Sequence, residues 1–227
     1  MKIVVYTHSD YSFVWKYWFG QTKKYLPDLE KIIFVNKAEP TIPEDYKIII
    51  YDDKLTYRER VISCLSKLNA EDIIIYHHED MFLYNQPDLN KLKQFEYLVA
   101  DGKADLIKLI RAEDFLLKSN IHDNLYHNPP YLKFAIQPTI IKVSKLREIF
   151  ENTKGDTIWS FEQNSFTCGK IKNSFFVYNM ESKRGQSHYD SNIYPYVATA
   201  IVKGSWNLKE YNKELTEIFK TYEANSL

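Results

Sequence analysis

The chain has 227 residues, 44% of them hydrophobic, and its 30 Lys and Arg balance 30 Asp and Glu to a formal charge of zero. That length fits one generous domain whose core needs no disulfide staples. Neutrality argues against a whole-surface binder of nucleic acid or anionic membrane, though not against a local basic pocket. The two cysteines, Cys64 and Cys168, are widely spaced and fit free buried thiols in a reducing compartment. No run nears the ~20 apolar residues of a membrane span, and the opening "MKIVVYTHSD" has too short an apolar stretch for a signal peptide. The expectation is a soluble, cytoplasmic protein.

"KIVVY" (2–6) reads as a buried strand, followed by a helix over 12–26 opened by Ser9 or Asp10. "KIIFV" (31–35) and "KIIIY" (47–51) are short β-branched strands separated by a Pro-punctuated loop. Thr56 and Glu59 form a capping box for a helix over 56–68, and "DIIIYHH" (72–78) is the fourth and most apolar strand. Asp88 caps a helix through residue 100. Apolar strands alternating with helices predict a mainly parallel α/β sheet covered on both faces.

The second half is less regular. Strands over 105–110 and 139–143 flank the loop "NIHDNLYHNPPYLK", and Ser144 opens a helix to about 152. "TIWSFEQNSFTC" (157–168) reads as a helix, "SFFVY" (174–178) as a strand and "ESKRGQSHYDSN" (181–192) as a polar loop. "YVATAIV" (196–202) is the last predicted strand, and Asn207 with Glu210 makes a second capping box for a helix to about 224. Without repeats or an obvious linker, a single domain is predicted.

In open α/β sheets, ligands bind beyond the carboxyl ends of the strands. The segments there are Thr7-His8-Ser9-Asp10, Asn36-Lys37, Asp52-Asp53 and His77 to Asp80. The "HHED" stretch is therefore expected to be a strand end emerging into a cleft. Continued alternation puts His78 and Asp80 on one face, His77 and Glu79 on the other. Asp80 is the candidate ligand for Mg²⁺ or Mn²⁺, hard ions that take carboxylate oxygen and complete their shell with phosphate and water. For each histidine taken alone, strand-end packing is the plainer reading. Zinc is disfavoured, because no H-x-x-x-H or C-x-x-C spacing occurs.

With "YTHSDYSFVWKYW" after the first strand, "KKYLPD" before the second, "HED" after the fourth and "IWSFEQ" later, the chain resembles small glycosyltransferases of the GT-A fold. Within that group it is similar to bacterial enzymes and to those of large algal viruses (the chlorella virus, capsid-glycosylating type). The resemblance implies a Rossmann-like, GT-A-like domain, with about 1–100 the nucleotide-binding half and about 101–227 the acceptor-binding half. It also implies a nucleotide-diphosphate sugar donor (UDP- or dTDP-linked), a glycan or glycoprotein acceptor, and Mn²⁺ or Mg²⁺. His78 stands where the first acid of the family's Asp-x-Asp motif is expected, and Asp80 matches the second.

By the same resemblance Glu162 matches the catalytic acid position, where a carboxylate takes the acceptor hydroxyl's proton. Neighbouring Trp159 and Phe161 can stack on sugar C–H faces and desolvate it. An ordinary first-turn glutamate favoured by the helix dipole is the plainer alternative. In the loop, Lys183 and Arg184 can neutralise a leaving diphosphate, Gly185 lets the loop close, and His188 is the implied nitrogen ligand to the metal. A solvated surface loop is the competing reading. Arg58 and Arg60 are further diphosphate candidates, with Lys203 a similar case. Thr7 and Asp52, together with His8 and Asp10, would hold the nucleoside.

Inversion is the implied outcome, with retention open. The alternatives are a nucleotidyltransferase, which usually needs a Gly-rich loop that "THSDYS" lacks, and an inactive nucleotide-sugar-binding module, for which His78 speaks. A metal-dependent hydrolase built on HHED is a third.

Overall fold

Runs of Ile, Val, Phe and Tyr build the left half of the sheet: β1 (Lys2–Tyr6), β2 (Glu30–Val35), β3 (Tyr46–Ile50) and β4 (Ile73–His78). β1 pairs in parallel with both β2 and β4, and β2 with β3. To the right lie β5 (Leu106–Lys108), β6 (Leu125–His127), β7 (Thr139–Lys142) and β8 (Ser174–Val177). The spatial order is β3-β2-β1-β4-β7-β5-β8-β6; β7 runs antiparallel to β4 and β5, and β6 antiparallel to β8. The result is a mostly parallel eight-stranded sheet flanked by helices, as the alternation of strands and helices predicts. This computed structural model describes all residues except 112–113, 166–167, 185–187 and 224–227.

The helices are α1 (Ser12–Tyr25), α2 (Tyr57–Leu65), α3 (Leu89–Ala100), α4 (Val143–Asn152), α5 (Ile158–Asn164) and α6 (Leu208–Glu223). The step from β1 to β2 and the step from β3 to β4 cross the sheet in opposite directions. Right-handed crossovers therefore put α1 and α2 on opposite faces. Accordingly α1 packs with α6, while α2 packs with α4 and α5. The two chain reversals meet between β1 and β4, whose carboxyl ends thus flank a topological switch point.

Several local signals act as read. The Thr56–Glu59 capping box opens α2, and Asp88 caps α3 by accepting from the Lys91 N–H. Cys64 and Cys168 are free and buried. Other expectations are corrected. A single 3-10 turn, Ser9–Tyr11, precedes α1, and it is the His8 ring that caps it, accepting from the Asp10 N–H. Part of the expected loop before residue 130 is strand β6, bonded to β8. The expected polar loop contains a short hairpin, β9 (Lys183–Arg184) and β10 (His188–Tyr189). Gly185 lies outside the described residues.

The apolar run 196–202 does not join the sheet. It is buried because it lies along residues 80–84, with Ala200 N–H to Asp80 O, Val197 N–H to Phe82 O and Tyr84 N–H to Pro195 O. Only its end becomes β11 (Ile201–Val202), paired with β12 (Ser205–Trp206). Among the described residues no helix is long and apolar enough to cross a membrane.

Candidate functional site

A cleft of about 530 Å³ opens beyond β1 and β4, lined by Tyr6, His8, Asp10, Tyr57, Arg60, His78, Glu79, Asp80 and Lys203 among others. Four elements deliver these groups: the end of β1, the first turns of α2, the end of β4, and the β11–β12 hairpin.

β4 stops at His78, so strand alternation stops there too. The following turn places both Glu79 and Asp80 on the cleft, where alternation alone would have shown one. His77 turns the other way and is buried, with Nδ1 2.9 Å from Met81 O and Nε2 2.7 Å from the Tyr194 hydroxyl. His78 forms the floor, its Nε2 3.0 Å from the Tyr57 hydroxyl. Burial pushes the His78 ring down to about 3, so it is neutral at ordinary pH. Neutral imidazole therefore stands where the sequence resemblance led to the expectation of an acid, and the two carboxylates at this strand end are Glu79 and Asp80.

Glu79 and Asp80 form no ion pair with any cation among the described residues. Burial, and then the charge of Asp80, raise Glu79 well above the ordinary carboxylate range; burial also raises Asp80. Asp80 is steadied by its own N–H and that of Ile201, and Glu79 by Thr7. Two adjacent acids, Glu79 buried and Asp80 partly so, without a counter-cation are costly. They are a local excess of acidic groups built into the fold.

Positive charge faces them from two sides. Arg60 sits over the Tyr51 ring at 5.2 Å and pairs with Asp53 at 3.2 Å. Lys203 occupies the two-residue turn between β11 and β12, where Lys203 (φ 50°) and Gly204 (φ 77°) are both left-handed, as a tight hairpin turn requires. Trp206 pins that hairpin, packing edge-on to Tyr17 at 5.3 Å and against Phe219 at 4.7 Å. Lys203 is exposed and has no ion-pair partner among the described residues.

His8 of the cleft lining forms a cluster with Asn36 and Asp53, which stand behind it outside the lining. His8 Nε2 is 3.0 Å from Asp53 Oδ2, and the Asn36 amide donates to the same oxygen at 3.0 Å. Asp53, not the neighbouring Asp52, points here; Asp52 closes its own turn by accepting from Lys54 N–H. Asp10 lines the cleft beside His8. Thr7 lies behind the lining, fully buried, with its hydroxyl accepting from Trp15 Nε1 at 2.8 Å.

Glu162 stands on the fifth residue of α5, just outside the cleft lining that Ile158 of the same helix joins. Its Oε1 accepts from Ile136 N–H at 2.5 Å. Burial raises its pKa, against the opposing pull of that N–H and of the Lys108 charge. The flanking aromatics separate: Trp159 is 74% exposed, whereas Phe161 is fully buried and stacked on Phe150 at 4.2 Å. Phe161 is core, not a sugar platform.

The remaining sequence candidates lie outside the lining. Arg58 reaches Phe150 O at 3.4 Å. Lys183 pairs with Asp114 at 3.5 Å, and Arg184 is held by Asp190 at 2.7 Å and Glu214 at 2.8 Å. His188 has Nδ1 3.9 Å from Glu210. Among the described residues no three His, Cys, Asp or Glu side chains cluster as a ready metal cage.

No family model and no curated protein matches the chain. Solved structures do. A cytidylyltransferase from Leptospira borgpetersenii serovar Hardjo-bovis aligns over 98% of this chain and 94% of its own, at 12% identity and TM-score 0.50. The S. aureus protein TarS aligns over 79% of this chain at 8% identity and TM-score 0.48, and this chain spans only 37% of it. The galactosyltransferase LgtC, solved with donor and acceptor sugar analogues, aligns over 78% of this chain and 73% of its own, at 15% identity and TM-score 0.47. The likeness is one of fold.

Sequence reasoning passed over Glu79, Tyr6 and Tyr57. The strand's end at His78 was read correctly, but alternation was carried past it; stopped with the strand, it would have left both acids in the turn facing the switch point.

Proposed function

We propose that the cleft is the donor site of a metal-dependent glycosyltransferase. It binds a UDP- or dTDP-linked sugar with Mn²⁺ or Mg²⁺ and passes the sugar to a hydroxyl of a glycan or glycoprotein, with inversion. The observation that carries this reading is the acid pair Glu79–Asp80, without a counter-cation among the described residues, faced by Arg60 and Lys203 at a switch point.

The acid pair suits a hard divalent cation, which needs carboxylate oxygen from the protein and draws its remaining ligands from phosphate and water. Bound there, the cation would supply charge neutralisation for a departing diphosphate. Lys203 and Arg60 add fixed positive charge aimed at the same group. His8, held by Asp53 and Asn36 behind it, offers a polar contact for a nucleoside, and Tyr6 and Tyr57 give it an aromatic wall. Glu162 takes the acceptor hydroxyl's proton, and burial makes it a stronger base than an exposed glutamate. Its hydrogen bond to Ile136 N–H fixes the carboxylate in place.

A nucleotidyltransferase is the second reading, favoured by the length of the match to the cytidylyltransferase. Both readings use a nucleotide and a cation; they differ in the bond broken. Against the second stands the β1–α1 connection, where His8 caps a 3-10 turn with no glycine to let backbone N–H groups wrap a triphosphate. The deciding assay offers Mn²⁺ with UDP- and dTDP-sugars in one arm, and CTP or UTP with sugar phosphates in the other. Release of nucleoside diphosphate, abolished by EDTA, is expected. Pyrophosphate release instead would assign a nucleotidyltransferase, and binding without either product an inactive module.

A further inference from the structure

We propose that a second cavity, sharing no lining residue with the cleft, is a binding site for a neutral saccharide. It measures about 370 Å³ and forms where residues 84–86 meet residues 179–182, 190–192 and 195. Four carboxamides line it, Asn85, Gln86, Asn179 and Asn192, together with the hydroxyls of Tyr84 and Ser182.

The charge of the lining narrows the ligand. No Lys, Arg or His lines the cavity among the described residues, so a phosphate or carboxylate would find no counter-charge. Two acids are present, Glu181 and Asp190, and each accepts one hydrogen bond from the protein. Asp190 is bound by Arg184 at 2.7 Å, and Glu181 accepts from Asn179 N–H at 2.6 Å. What remains is a set of amides, each able to donate and accept. Asn85 Oδ1 accepts from Gln86 N–H, and Asn179 Nδ2 donates weakly to Asn192 Oδ1 at 3.4 Å. The opposite ends, Asn85 Nδ2, Asn179 Oδ1 and Asn192 Nδ2, have no protein partner among the described residues. Paired donors and acceptors, flanked by two carboxylates that repel anions and can accept from hydroxyls, match the hydroxyl array of a sugar.

An independent feature marks the same rim. Met180 is 84% exposed and held at φ 62°, a left-handed conformation that costs a non-glycine residue energy. A strained, exposed apolar side chain at the edge of a polar cavity gives a sugar's C–H face something to rest on.

The two sites are mechanically joined. The ladder that binds 80–84 to 195–200 has Asp80 of the cleft at one end and Tyr84 of the cavity at the other. Four residues of extended chain span at most ~14 Å, within reach of one oligosaccharide.

The test is an amide-correlation NMR titration of the whole chain with cellotriose, maltotriose and chitotriose, and separately with UDP and Mn²⁺. Trisaccharide should shift the Asn85, Gln86, Asn179 and Asn192 signals, and the double variant Asn179→Ala/Asn192→Ala should weaken that binding at least ten-fold. UDP shifts near residues 7–10 should be the same in both proteins, which keeps the donor reading separate. The proposal fails if none of the three sugars moves these amides, if they move only cleft residues, or if the double variant binds as tightly as wild type.

Discussion

Two hollows of nearly equal size sit at opposite ends of the central strands. The cleft beyond β1 and β4 measures about 530 Å³; a groove of about 540 Å³ lies where β4 begins and β7 ends. In the groove every cation has an acid: Lys142 meets Glu71 at 3.1 Å, Lys145 meets Glu148 at 2.8 Å and Asp105 at 3.3 Å, and Arg147 meets Glu151 at 3.3 Å. In the cleft Glu79, Asp80 and Lys203 have no such partners among the described residues. Volume does not separate the two hollows; charge balance does. A groove whose ion pairs are closed among themselves asks for no ligand, whereas buried acids left in excess do.

The sharpest way to break this comparison is at Glu162. Glu162→Gln keeps shape but removes basicity, and turnover should fall by about 10²–10⁴-fold, with donor affinity by calorimetry unchanged because a base acts on the transition state. The wild-type kcat should fall as pH drops, since a protonated Glu162 cannot accept a proton. Its midpoint should lie above the ordinary glutamate range, in the direction burial drives it. A midpoint at or below that range would take the role from Glu162.

Next in size is Asp80→Asn. Most of the cation-dependent gain in nucleotide affinity should be lost, about ten-fold or more, while the melting temperature without ligand holds or rises. Unfolding would make Asp80 structural. Lys203→Ala should weaken UDP binding about ten-fold, the order of one charge-assisted hydrogen bond, with a shallower salt dependence. Lys145→Ala, in the balanced groove, should leave nucleotide binding within about two-fold and cost no more than ~1 kcal/mol of stability, as exposed ion pairs do.

The left half of the fold was legible because its strands are largely apolar and two of its helices, α2 and α3, carry explicit caps. Thr56–Glu59 and Asp88 are local signals whose geometry needs only a few neighbouring residues. The right half was less so. β6 spans three residues and β9 to β12 two each, too short to print a period on the sequence. The run 196–202 looks like a sheet strand because burial, not sheet pairing, selects its residues; its partner is the single stretch 80–84.

The site divides along the same line. The acids after β4 were legible from the strand's end, but Glu79 was assigned to the wrong face by extending alternation one residue too far. Asp52 was singled out and Asp53 only noted as its neighbour, because adjacent acids in a turn differ in direction and not in chemistry. Lys183 and Arg184 read as free cations in a polar loop; Asp190 of the same loop holds Arg184, and Asp114 and Glu214, distant in sequence, complete the pairs without any local pattern to announce them.

The central claim, that unbalanced acids make the first hollow a cation-dependent nucleotide site, is tested most directly by one calorimetric series. UDP is titrated into wild type with and without Mn²⁺, and then into Glu79→Gln. Wild type should bind UDP at least about ten-fold more tightly with Mn²⁺, a difference of about 1.4 kcal/mol, and Glu79→Gln should lose most of that gain. Equal UDP affinity with and without Mn²⁺ in wild type would contradict the account.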